Sequence, residues 1–135
     1  MTFVQYIYLY LLTIPVFFAI DMLWLGVVAR GLYREKLGHL LGPVRWGAAI
    51  IFYLLFIVGI IFFAVAPALG SGSLLTALLV GGFFGFLTYA TYDLTNLSTL
   101  KDWPLSVTIV DLCWGTVLTG SVASLSYLIG KAIFY

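Results

Sequence analysis

The chain has 135 residues, of which 64% are hydrophobic and only 8% charged, with a net charge of +1. A soluble domain carries about 25% charged residues, so a water-facing globular surface is excluded, and the lack of any basic tract argues against nucleic acid as a partner. The composition is that of one integral membrane domain, residues 1–135, in which the lone Cys113 can form no internal disulfide.

Crossing a bilayer as a helix takes ~20 apolar residues. The first such run covers about residues 3–29. It lacks a basic n-region and a small-x-small cleavage site, so it reads as a span and not as a removed signal. The connection "RGLYREKLGHLLGPVR" follows, with Arg30, Arg34, Lys36 and Arg45 against Glu35. Within it Tyr33, Leu37, Leu40 and Leu41 recur at helical spacing. This predicts a short amphipathic helix over about 33–41, lying in the membrane surface and ended by Gly42-Pro43.

The second span covers about 46–66 and is expected to stop at Pro67. Its polar content is little more than Tyr53, which predicts the most lipid-facing helix of the set. An uncharged link, "PALGSGS", leads to a third span over about 74–92. The fourth covers about 105–129. The expected fold is therefore an all-α membrane protein, a four-transmembrane-helix bundle with one interfacial helix. Strands are excluded by segment length and by the lack of alternation.

Basic residues collect in cytoplasmic loops. That rule places loops 30–45 and 93–104 in the cytoplasm and both termini outside, with five of the six basic residues inward.

The acids follow the same bias. Asp21 lies nine residues before Arg30, roughly 13 Å from that end of the span, and Asp111 lies six residues into span four, roughly 9 Å deep. Asp93 lies where span three is expected to end. Three carboxylates on three helices thus share one leaflet, which predicts a polar pocket opening inward. A carboxylate inside hydrocarbon costs roughly 2.5–3.5 kcal/mol or more and marks a candidate functional site.

Helical spacing supports a shared interior. Tyr6, Tyr10, Thr13, Phe17, Asp21 and Trp24 form one face of span one. Gly81, Gly85, Tyr89 and Asp93 form a stripe on span three, and Gly115, Thr119 and Ala123 form a small-residue stripe on span four beside Asp111 and Trp114. "AIDMLWLG" and "TIVDLCWG" share Asp-x-x-Trp followed closely by Gly, on helices expected to run antiparallel. An inverted repeat is one reading of that echo and coincidence the other.

Asp93 and Asp111 are the candidates for acid/base or multi-oxygen metal chemistry. Asp21, Trp24, Tyr89, Tyr92, Asn96 and Trp114 are the candidates for ligand binding. Each has a structural alternative. Asp21 and Asp111 could bond Thr13, Tyr89 or Tyr92 as bundle glue. Asp93 could pair with Lys101 or Arg30 at the interface, and Asn96 could cap the chain after span three. Asp102, before Trp103-Pro104, reads as a helix start. His39 stands alone, so no histidine metal site is supported, and Cys113 reads as inert packing. No particular cofactor is implied.

The run "YDLTNLSTLKDWPL", with "DMLWLG", "LGHLL", "FYLLFIVG" and "VDLCWGTVLT", resembles the bacterial family of small predicted membrane proteins catalogued as domain of unknown function 2177. The resemblance covers nearly the whole chain. It implies a four-span protein of the bacterial inner (plasma) membrane and supplies no activity and no catalytic residues.

Three functions compete. In the first, the pocket binds or modifies a membrane lipid or other amphiphile. In the second, the aspartates drive a small proton-coupled transporter. In the third, the small-residue stripes dock a membrane-protein partner, or a second copy, in a complex. Confinement of the polar features to one side favours the first.

Overall fold

A computed structural model describes all residues, 1–135. Four long apolar helices make the bundle: span one Phe3–Val28, span two Trp46–Ser71, span three Leu74–Thr99 and span four Leu105–Phe134. A short fifth helix, Arg30–Leu37, links spans one and two. It begins and ends earlier than the expected 33–41, and Leu40 and Leu41 fall beyond it and are exposed.

Span one starts on a capping box. Gln5 donates its backbone N–H to the Thr2 hydroxyl at 3.2 Å, and Thr2 returns its own N–H to Gln5 Oε1 at 2.9 Å. The span ends in a wide π-turn over Trp24–Val28, closed by Ala29 N–H donating to the Trp24 carbonyl at 2.8 Å. The chain then bends directly into the short helix.

Pro67 does not stop span two. A second π-turn, Ile61–Val65, precedes it, and Pro67 enters at the start of a fresh α segment, Ala66–Ser71. The missing proline N–H therefore falls where the hydrogen-bond ladder is already being reset. The stop is Gly72, whose φ of 68° lies in the left-handed region that favours glycine. Ser73 then caps span three by accepting from Thr76 N–H at 3.1 Å.

Span three runs seven residues past its expected end, so most of the polar run is helix. Its hydroxyls are satisfied within the helix and do not oppose it. Thr91 and Thr99 donate to the carbonyls four residues earlier, at 2.7 and 2.9 Å, and Thr95 does the same to Thr91. Polar side chains satisfied along their own helix do not break it. Asn96 lies inside this helix, not after it, and its carbonyl accepts from Leu100 N–H at 2.9 Å. Span four likewise extends five residues beyond 129. Pro104 occupies its N-cap, while Asp102 is exposed in the preceding turn and bonds no helix N–H.

Span four is the hub, touching every other span, and the closest packing is with span three. The two small-residue stripes face each other. An ideal Cβ on Gly81 would lie 2.6 Å from Ala123 Cβ and 3.0 Å from the Thr119 carbonyl oxygen. These stripes are consumed within the chain and are not free to dock a partner.

Span two is not the most lipid-facing helix. Its apolar stretch is 33% buried, against 17% for span one. Its aliphatic residues reach the core, where Phe56, Ile57, Ile60, Ala64 and Val65 pack with Phe17, Leu118 and Val122. On span one the buried face is Leu9, Thr13, Phe17 and Asp21, and Tyr6 is exposed instead. Thr13 shares a 2.8 Å hydrogen bond with Ser126 of span four, and the Tyr10 phenol donates to the Leu54 carbonyl at 3.0 Å. These bonds tie span one to its neighbours. The outer faces stay apolar, as at Leu55, Phe62, Phe83 and Val117, which suits a lipid surround.

Candidate functional site

The polar residues gather at the bundle end that carries the short helix. Two pieces of sequence build the centre. On antiparallel spans one and four, the two Asp-x-x-Trp motifs exchange partners. The Trp114 indole N–H donates to Asp21 Oδ1 at 3.3 Å. The Trp24 indole N–H donates to the Tyr33 phenol at 3.2 Å, and that phenol donates to Asp111 Oδ1. The two indoles stack, with centroids 4.5 Å apart and planes 7° from parallel. Each acid is thus bonded, directly or through Tyr33, to the tryptophan of the opposite motif. The short echo in the sequence corresponds to one interlocked unit.

Asp21 is only 2% exposed. Its Oδ2 is buried and has no hydrogen-bond donor. The Tyr53 phenol of span two lies beside Asp21 without closing a hydrogen bond to that oxygen. Thr13, expected as a partner, bonds the Leu9 carbonyl and Ser126 instead. Tyr89 and Tyr92 do not bond the acids either; Asp111 is held by Tyr33. Burial first, and then the bonded Asp111 carboxyl, hold the Tyr33 phenol proton above the ordinary tyrosine range. Tyr33 is therefore the donor, and Asp111 the acceptor, of the bond between them.

Asp93 is fully buried, not interfacial. It pairs with neither Lys101 nor Arg30, and neither of its carboxyl oxygens has a partner. Its carboxyl faces that of Asp111 without a hydrogen bond between them. Below it Trp103 donates to the Thr108 hydroxyl at 3.0 Å, and that hydroxyl bonds the Asp93 carbonyl at 3.4 Å. Trp103 also packs with Leu37 and Val107, pinning the short helix against span four. The carboxylates of Asp21, Asp93 and Asp111 do not gather into a metal-binding set.

Two cavities meet here. A chamber of about 540 Å³ is walled by Asp21, Asp111, Tyr33, Tyr53 and the Trp24–Trp114 stack, under Leu37 and Leu41. A lateral cavity of about 750 Å³ lies between Phe52 and Tyr53 of span two and Thr88, Tyr89, Thr91 and Tyr92 of span three. The two share Tyr53, Tyr89, Tyr92 and Asp111. The lateral cavity exists because the backbones of spans two and three come close only from Ile61 onward, with the Phe56–Phe84 ring contact bridging the wider gap before it. Both volumes fall in the range of small-molecule sites.

The structure therefore brings Asp21, Trp24, Tyr89, Tyr92, Asp111 and Trp114 to the cavity walls. Asp93 sits behind them, and Asn96 lines neither cavity. Cys113 is exposed on the outer face of span four and is not packing. Tyr33, Tyr53 and Trp103 were not among the site residues expected from the sequence, although Tyr33 was placed on the apolar face of the short helix. The available signals were modest: Tyr33 is the one hydroxyl on the apolar face of its helix, and Tyr53 is nearly the only polar side chain in span two.

The family model described as "Predicted membrane protein (DUF2177)" matches residues 6–128. The chain belongs to that family. No curated protein and no solved structure matches it. All of the wall residues fall within the matched segment, so the chamber belongs to the part of the chain that defines this family.

Proposed function

We propose that this protein holds an amphiphile, with the polar group in the chamber and the apolar chain leaving between spans two and three. One observation carries the reading: the acid-bearing chamber and the lateral cavity adjoin, sharing Tyr53, Tyr89, Tyr92 and Asp111 as common wall. A water-soluble ligand has no need of a side opening at bilayer depth, whereas a lipid chain does. By the charge rule this site lies in the cytoplasmic leaflet.

The transporter reading has less support. The far half of the bundle is filled by Leu9, Phe17, Ile57, Ile60, Leu118 and Val122, each with no exposed surface, so no path continues beyond the chamber. The subunit reading loses its proposed docking stripes to the contact between spans three and four. If the site performs chemistry, Asp111 is the acid that reaches the ligand, with Tyr33 bonded to it and Asp93 behind.

The test is to purify the protein in mild detergent and identify the co-purifying lipids by mass spectrometry, for wild type and Thr88→Trp. Thr88 is half-buried on the lateral wall. One lipid class enriched over the bulk membrane with wild type, and depleted in the variant, supports the reading. A bulk-like lipid profile for both sinks it.

A further inference from the structure

We propose that the chamber is an ammonium site, so that the ligand is an amphiphile headed by a protonated amine. This rests on the amphiphile reading above and names its chemistry.

Three observations point the same way. The first is charge. The chamber wall holds the carboxyls of Asp21 and Asp111 and not one lysine, arginine or histidine. A phosphate or sulfate head would enter among acids with no cation to meet it, at a cost that grows in a low-dielectric site. The second is Asp21 itself: the residue lines that wall, and its Oδ2, buried beside the Tyr53 phenol, has no hydrogen-bond partner. A buried carboxylate oxygen lacking a donor is costly. A rotation of the carboxyl that brings this oxygen to the chamber lets an ammonium N–H supply the missing bond, which a quaternary ammonium cannot. The third is the aromatic surround. Trp24, Trp114, Tyr53 and Tyr89 form much of the remaining wall, and aromatic rings attract cations through their quadrupole. Together, carboxylates and aromatic rings favour a positive head. The lateral cavity then takes the chain.

The experiment uses the whole protein in a non-ionic detergent, with tryptophan fluorescence as the readout because the Trp24–Trp114 stack borders the chamber. Four probes share one alkyl chain: dodecylamine, dodecanol, dodecyl phosphate and dodecylphosphoethanolamine. Dodecylamine is expected to bind saturably and about tenfold or more tighter than dodecanol or dodecyl phosphate, as one charge-assisted hydrogen bond and a cation–π contact would give. Asp21→Asn, nearly isosteric, is expected to remove about that factor. The probe series on wild type needs no variant, so a poorly folding Asp21→Asn would not blunt the test.

Tight binding of dodecylphosphoethanolamine as well supports the inference with a phospholipid amine as the source. Binding of dodecylamine alone supports it with a simple amine as the source. Dodecanol or dodecyl phosphate binding as tightly as the amine overturns the ammonium assignment and leaves the amphiphile reading standing. An unchanged amine affinity in folded Asp21→Asn also overturns it. No saturable binding by any probe overturns both.

Discussion

Gly85→Ala tests the packing that forms the site. Spans three and four meet along glycine, and a Cβ on Gly85 would land on the Gly115 carbonyl oxygen and 2.5 Å from Thr119 Cβ. Ordinary contacts sit near 3.5–4.0 Å, so the helices must part by about 1 Å. The obstacle includes backbone, which no rotamer change can move aside. Overpacking of this kind costs about 1–3 kcal/mol. Alanine recovers up to about 1 kcal/mol of helix propensity over glycine. With the full propensity gain the net expectation is a loss of up to about 2 kcal/mol, a shift of up to roughly thirtyfold in the folded ratio, and a deficit of about 1–3 kcal/mol against a glycine-to-alanine change that meets no obstacle. The assay is reversible unfolding in mixed micelles of mild detergent with rising dodecyl sulfate, followed by tryptophan fluorescence. Gly47→Ala, with nothing within 4 Å of the added carbon, is the control and should be neutral or slightly stabilising. Equal stabilities for the two variants would refute the packing argument.

Other expectations follow from the same geometry. Tyr33→Phe removes the acceptor of the Trp24 indole and the donor to Asp111; it should cost about 1–3 kcal/mol in the same unfolding assay, nearer the low end where water enters the chamber. A Trp24→Phe, Tyr33→Phe double-mutant cycle that shows no coupling would contradict the bond between them. Gly115→Ala would set a methyl group against the Tyr89 side chain, 2.9 Å from its Cβ; swinging that phenol off the wall should weaken dodecylamine binding, and an unchanged affinity would exclude Tyr89 from the ligand contact. In a Cys113→Ser background, Gly70→Cys should react with a membrane-impermeant maleimide in intact cells and Glu35→Cys only after lysis; the reverse pattern would invert the orientation.

Much of the fold was legible in the chain because a bilayer imposes so few solutions. Length and apolarity define four spans without reference to anything they touch. The glycine stripe on span three and the small-residue stripe on span four were readable because only small side chains let helices approach closely. Helix ends were less legible, because they depended on local bonding that hydropathy ignores. Hydroxyls along span three bond back to its own carbonyls and leave it helical to Thr99, and a π-turn before Pro67 carried span two to Gly72. The acids and tryptophans were visible as residues, but their partners were not. Asp21 meets Trp114 across 93 positions and Asp111 meets Tyr33 across 78. Such pairings follow from the rotation of each helix about its axis, which the low amphipathicity of membrane helices leaves unspecified. Composition and hydropathy by themselves determined that the chain spans a membrane, roughly where, and that its carboxylates cluster at one end. Tertiary packing alone decided that Tyr33 and Tyr53 join them, that Asp93 is walled off, and that a lateral cavity adjoins the chamber, because these depend on contacts between helices and not on the sequence within any one of them.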